Sequence, residues 1–542
     1  MNLIILNGNI YTMNKRNPKA EALFIEDGIF KNIGSNKEIS ELINKSSLVI
    51  DADGKTILPG FIDSHMHLAM FGSNLYECNL VGTKSIEELI NKVKDYISSK
   101  KIPKGDWVIG KGWNEDYFNV KRLPNRYDLD KISKEHNICL TRGCYHMCVV
   151  NSNVLDEIGI NKENHEINNG IFDIDQNSVP TGICRESAMK LVYSKLPKVS
   201  KDRFKEYIKL ASNYVLSRGI TSLCTDDFML PGIEWQNVID SYTEMNRDGE
   251  LKIRVYEQCL LPTLEYIKEF ASKGYKTGIG DDHFKIGQLK ILTDGNLGTR
   301  TAYLSEPYSD DNSTFGIPQY TQNELDNLIL TATESGLQIA SHAIGDKSIN
   351  MVIDALEKLP EEYKKRDLRS NIVHCQVTND RLLKKFKKLN IVANVQPIFL
   401  NYDIHMAESR LGPSRITNSY NWKTLLNEGI KVALGSDSPV ELPDTMLGIY
   451  SAVTRKDLNG FPNGGWFPEE KLTVDEALHG FTIDAAYSSF SEDIKGSIEI
   501  GKLADFVVLS ENIYEIEPEN IKNVKVLKTF IDGKLVFDIE KI

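Results

Sequence analysis

The sequence has little that would place it in a membrane or on nucleic acid. No apolar run among its 542 residues approaches the roughly 20 needed to cross a bilayer, so no membrane partner is expected. The opening Met1-Asn2-Leu3-Ile4-Ile5-Leu6-Asn7-Gly8 lacks the positive start and long apolar stretch of a signal peptide, and a cytoplasmic location is expected. Positive charge is not in excess: 64 Lys and Arg stand against 76 Asp and Glu. The net −12 is spread along the chain, which disfavours nucleic acid or an anionic surface as the main partner. Cysteine is sparse, eight in all, and no CxxC occurs although Cys139, Cys144 and Cys148 cluster. Most of the eight lie in apolar strand-like runs and read as reduced, buried thiols. There is no GxSxG elbow and no Walker-type glycine–lysine loop, so serine nucleophile or phosphate-loop chemistry finds no support.

What is present is ordinary for a globular enzyme: 41% hydrophobic and 26% charged residues, too apolar for a disordered chain. The length is more than one barrel of about 250 residues can use. Both ends carry short strands broken by turn signals. Leu3–Leu6, Ala22–Ile25, Phe30–Ile33 and Leu48–Ile50 open the chain. Phe506–Leu509, Val524–Ile531, the turn Asp532-Gly533 and Lys534–Phe537 close it. Neither set buries a good core alone, so residues 1–58 and 490–542 are expected to combine into one small β-sandwich.

Between them, at 59–489, short strands alternate with helical stretches. The expected strands are Phe61–Ser64, Ile220–Cys224, Ile253–Tyr256, Leu289–Leu292, Leu337–Ser341, Asn371–Val373, Ile391–Val395 and Val432–Gly435. Eight β/α alternations indicate an α/β fold, a parallel (β/α)8 barrel of TIM type. The gap after the first strand is too long for one crossover, so residues 75–200 read as an inserted cap subdomain.

The chemistry gathers at the strand ends. In Pro59-Gly60-Phe61-Ile62-Asp63-Ser64-His65-Met66-His67, the histidines at i and i+2 share one face of an extended chain, as convergent metal ligands must. Leu337–Ser341 is closed by His342, Asn371–Val373 by His374, and Val432–Ser436 by Asp437. In a parallel barrel these ends meet at one mouth. Four of ten histidines fall there. Lys290 lies inside Gln288-Leu289-Lys290-Ile291-Leu292-Thr293-Asp294, on the face shared with Leu292 and Asp294. An ammonium pointing into a barrel is costly unless paired or neutralised. Burial and a nearby metal would leave a nucleophilic amine able to add carbon dioxide, giving an N6-carboxylysine that bridges two cations. A salt bridge to Asp294 is the plainer alternative. Asp437 is the candidate to take a proton from a metal-activated water and pass it to a leaving amine. Arg300, in the turn after Asp294, is a candidate to bind a polar substrate group, or else a surface ion pair.

These motifs resemble the amidohydrolase superfamily of metal-dependent hydrolases over nearly the whole chain, from "ILNGNIYTMN" and "LPGFIDSHMH" to "GSIEIGKLADFVVL" and "TFIDGKLVF". Within it, "GKGWNEDYF", "GCYHMCVVNSNVL", "GITSLCTDD" and "LKILTDGNLGTRTAYLSEPY" are similar to the YtcJ-like branch, which includes N-substituted formamide deformylase-like proteins. The resemblance implies a distorted barrel with a sandwich made from both termini. It implies one or two divalent metal ions, zinc foremost, with His65, His67 and Asp437 on one and His342 and His374 on the other. Lys290, as its carbamate, would lie between them. It also implies hydrolysis of a C–N bond in a small-molecule substrate such as an N-formyl or N-acyl amine or a cyclic amide, and a homodimer. Trp113 and His146 would stand near the substrate, or pack within the cap. Two other functions fit the same fold: a deaminase, and a non-catalytic regulatory or ligand-binding homologue.

Overall fold

The computed structural model describes residues 2–143, 147–167 and 170–541. His146, Cys144 and Tyr145 lie outside the described residues. The chain forms two compact units, one of residues 1–68, 211–229 and 238–542, the other of 69–210 and 230–237.

The first unit is built on eight strands, named here β1 (Phe61–Met66), β2 (Ile220–Thr225), β3 (Arg254–Leu260), β4 (Phe284–Leu292), β5 (Gln338–Ala343), β6 (Asn371–His374), β7 (Val392–Val395) and β8 (Val432–Leu434). They run in sequence order across one sheet, and every neighbouring pair is parallel. Every residue of β1 and of β2 is buried. A parallel sheet with helices on one face and a packed interior on the other exposes neither face, so these strands show no alternation of buried and exposed residues. The eight strands predicted from sequence are all present, each displaced by a few residues at most. Backbone bonds draw the ends of β8 and β1 together: Asp437 N–H donates to His65 O at 2.8 Å, and His67 N–H to Ser438 O at 2.7 Å.

Two sheets from the chain ends accompany the barrel. One has four strands in the order Ile29–Gly34, Ala22–Glu26, Asn2–Leu6, Ser47–Asp51. The other has six, and it joins the termini, because Phe506–Leu509 pairs antiparallel with Thr56–Pro59. Leu3, Ile5, Leu23, Phe30, Ile57, Phe506 and Phe530 share one core, so each end buries the apolar face of the other. Arg254, at the start of β3, ties the barrel to this layer. Its guanidinium donates to both carboxylate oxygens of Asp505 (2.6 and 2.8 Å) and to Asp532 (2.5 Å).

The second unit contains a seven-stranded mixed sheet in the order Glu166–Ile167, Gly170–Ile174, Pro180–Glu186, Met147–Val150, Asn137–Arg142, Trp107–Trp113, Cys78–Asn79. Its core includes Leu89, Val108, Trp113, Leu140 and Val149. The seven described cysteines are all free and buried. Among the described residues, no helix is long and apolar enough to cross a membrane.

Candidate metal centre

The ends of β1, β4, β5, β6 and β8 meet at one mouth of the barrel, and each delivers one or two ionisable groups. The register fixes this. Leu292 of β4 pairs with His342 of β5, and Ala343 of β5 pairs with His374 of β6. His374 and Asp437 have φ of +76° and +57°, a left-handed backbone that costs energy for a residue with a Cβ. At both places it ends the strand just where a side chain must turn into the mouth.

His65, His67 and Asp437 are buried, and their ligand-type atoms all lie within 4.8 Å of one another. The Nε2 atoms of His65 and His67 each stand 3.2 Å from the same carboxylate oxygen, Asp437 Oδ1. Lys290 Nζ, 1% exposed, is 2.9 Å from His65 Nε2. His374 completes the group: its ring centroid is 5.8 Å from that of His65 and 4.4 Å from that of His342. All five predicted metal-type residues and Lys290 line one cavity of about 430 Å³.

The outer nitrogens show what the inner ones are prepared for. His65 Nδ1 lies 2.6 Å from Gln258 Oε1, His67 Nδ1 3.0 Å from the Asp226 carbonyl, and His374 Nδ1 2.8 Å from Gln396 Oε1. Each acceptor fixes a proton on Nδ1, so each Nε2 is left with its lone pair toward the cavity, as metal-ligating histidines require. Two such lone pairs and a carboxylate oxygen converging at 3.2 Å repel one another unless something positive lies among them. The donor set therefore fits a divalent cation. In the metal-free chain a proton can take that place: the His67 pKa is raised, because the Asp437 carboxylate outweighs the opposing effect of burial.

Burial keeps the other imidazoles neutral, pushing His65 down to about 3 and His342 to about 4, and holding His374 well below the usual imidazole range. Burial also lowers Lys290 to about 8, against the opposing charges of Asp226 and Asp437. Its free amine is therefore more accessible at neutral pH than that of an exposed lysine. Burial works to raise Asp437, but the facing His65 and His67 more than reverse this and hold it well below the usual carboxylate range.

Two further carboxylates position these strand ends. Asp63 accepts from the backbone N–H groups of His65 and Ser436 and from Ser436 Oγ, joining the ends of β1 and β8. Asp294 accepts from the N–H groups of Tyr303, Ile344 and Gly345 and stands 3.4 Å from His342 Nε2. It is therefore spent on the backbone and the histidine. Two further expectations concern residues away from these ligands. Arg300 forms a two-bond ion pair with Asp310 (2.9 and 3.0 Å). Trp113 is fully buried in the core of the second unit, its indole N–H donating to Leu140 O at 2.9 Å. The aromatic residues that do line the cavity, Phe399 and Tyr402, follow β7.

Comparison with known proteins agrees with this picture. The profile described as "Amidohydrolase family" matches residues 48–537. The chain is 32% identical to YtcJ of Bacillus subtilis, covering 99% of this chain and 100% of that protein. It is 25% identical to the N-substituted formamide deformylase of Arthrobacter pascens over 99% and 98% of the two chains. Among solved structures, a metal-dependent hydrolase from Pyrococcus furiosus superposes with a TM-score of 0.79 at 29% identity, covering 95% of this chain and all of the other.

Proposed function

The chain belongs to the amidohydrolase family, and from that premise we propose that it is a metal-dependent hydrolase of carbon–nitrogen bonds in small amides, an N-formyl or N-acyl amine or a cyclic amide. The observation that carries this reading is the convergence of two imidazole lone pairs on Asp437 beside a buried, easily deprotonated lysine. The relative named for deformylation of N-substituted formamides supports the bond class.

His65, His67 and Asp437 would hold one divalent metal, zinc foremost, and His342 and His374 a second. A metal bound there supplies an acidified water at neutral pH and polarises the substrate carbonyl. Lys290 would serve as its carbamate. The Nζ lone pair forms a bond to the carbon of carbon dioxide, a proton leaves the nitrogen, and the resulting two-oxygen anion lies between the two halves of the ligand set. As the water attacks the carbonyl carbon, the Asp437 carboxylate accepts its proton. When the C–N bond breaks, Asp437 returns that proton to the departing amine, leaving a free carboxylic acid and a free amine. With metal bound, the imidazoles of His65, His67 and His374 would keep their orientation through Gln258, the Asp226 carbonyl and Gln396. The buried free thiols fit a reducing compartment, and we read the protein as cytoplasmic.

The test is amine release from a panel of N-formyl and N-acyl amines by metal-reconstituted protein, before and after chelation. Turnover that vanishes on chelation and returns with metal is expected. Metal-loaded protein that cleaves no amide, or turnover that survives complete metal removal, would overturn the reading.

A further inference from the structure

The cavity around the candidate metal centre is also lined by residues that hold no metal-type position. Its apolar wall is Met229, Leu292, Leu297, Phe399, Met406 and Val440. Two acids stand in the same lining, Asp403 and Glu441. Among the described residues of this lining there is no arginine, and no lysine other than Lys290. Neither acid has a cationic partner. Asp403 Oδ2 accepts from two neutral donors, Tyr420 Oη at 2.9 Å and Gln376 Nε2 at 3.2 Å, and Oδ1 is left over. Glu441, half-buried, has no hydrogen bond or ion pair within the described residues. Burial first, and then the nearby Asp403 charge, push the Glu441 carboxyl up to about 7.

Other acids of the chain do have cations: Asp505 and Asp532 are matched by Arg254, and Asp310 by Arg300 and Arg410. Two acids without a cation in the wall of this cavity, beside its apolar face, are a recognition element for a positive group. The same pair, with no arginine to offset it, repels a substrate carboxylate.

We propose, on the hydrolase reading above, that the substrate is an amide whose apolar body also carries a protonated amine, and that Glu441 and Asp403 select it. The cavity volume of about 430 Å³ suits a molecule of that kind, with one aromatic ring or a short aliphatic chain between the scissile amide and the amine. Anionic amides, such as N-acyl amino acids, are excluded.

The test pairs turnover with binding on the full-length, metal-reconstituted protein. The substrates are N-acetyl-2-phenylethylamines with a para methyl, aminomethyl or carboxylate group. The binding probe is 2-phenylethylammonium, followed by calorimetry. The aminomethyl amide is expected to exceed the methyl amide about tenfold in kcat/KM, with the carboxylate lowest. Glu441→Gln should bring the aminomethyl-to-methyl ratio toward one and weaken 2-phenylethylammonium about tenfold, and Asp403→Asn should act in the same direction. A carboxylate amide cleaved as fast as the aminomethyl one overturns the proposal, as does an unchanged ratio in Glu441→Gln. If none of the three amides is cleaved, the hydrolase reading fails on this panel, and the binding arm decides alone. Ammonium binding weakened by Glu441→Gln then supports the inference, and binding equal in both proteins overturns it.

Discussion

The two ends of the barrel bury ionisable groups in opposite ways. At the sandwich end, Arg254 meets Asp505 and Asp532, and His283 Nε2 meets the other oxygen of Asp532 at 2.9 Å, so these four groups are matched within the chain. At the mouth, two imidazole nitrogens, a carboxylate oxygen and a lysine nitrogen converge, while the outer ring nitrogens of His65, His67 and His374 are held by protein acceptors. One end is closed electrostatically and holds two layers together. The other gathers donors that fit a cation. A barrel keeps stability and chemistry at separate ends for this reason: groups that must bind something cannot also be fully paired.

The comparison can be broken at either end. The largest effect is expected at the mouth. Asp437→Asn should lower kcat by about 10³-fold while the protein keeps its fold, read by steady-state turnover beside circular dichroism. Turnover within a few-fold of wild type would remove the proton role. Arg254→Ala should act the other way round, costing about 3–5 kcal/mol in stability because Asp505 and Asp532 are left without their cation. Chemical denaturation measures this, and bound metal per folded chain should not change. Gln258→Leu removes the acceptor on His65 Nδ1 and frees the tautomer. Metal affinity should fall about 10- to 100-fold by competition with a chromogenic chelator, with unfolding shifted far less than in Arg254→Ala.

The smallest and most graded effect is with pH. The His67 pKa is raised, so a metal must displace a proton there. Metal affinity should therefore fall as pH drops from 8 to 6, with proton release on binding at the lower pH. An affinity flat across that range would contradict a proton on His67.

How much of this was legible follows from the same contrast. The mouth could be read because β1, β5, β6 and β8 are apolar runs that stop at a histidine or aspartate, and because Lys290 interrupts the apolar pattern of β4. Each is a local departure from what a buried strand should contain. Gln258 and Gln396 could not be read. An amide in or just after a strand has no sequence signature, and its role depends on a histidine that is 193 residues distant for Gln258 and 22 for Gln396. Asp403 and Glu441 lie after β7 and β8, where the route of the backbone decides what faces the cavity. For Trp113 the sequence left two readings, near the substrate or packed within the cap, and the indole N–H is bonded to Leu140 O within the core of the second unit. The seven-stranded sheet of the second unit was not legible as a sheet, because strands of two to seven residues give too few periods to show alternation.

The central claim is that the mouth of the barrel is a metal centre made by His65, His67 and Asp437, with His342, His374 and Lys290 beside them. Elemental analysis of the purified protein and of the double variant His65→Ala, His67→Ala tests it most directly. The account predicts one or two equivalents of divalent metal in the first, and in the second the loss of at least one equivalent with the fold retained. A wild-type protein that takes up no divalent metal when offered it, or a double variant that binds as much as wild type, would contradict it.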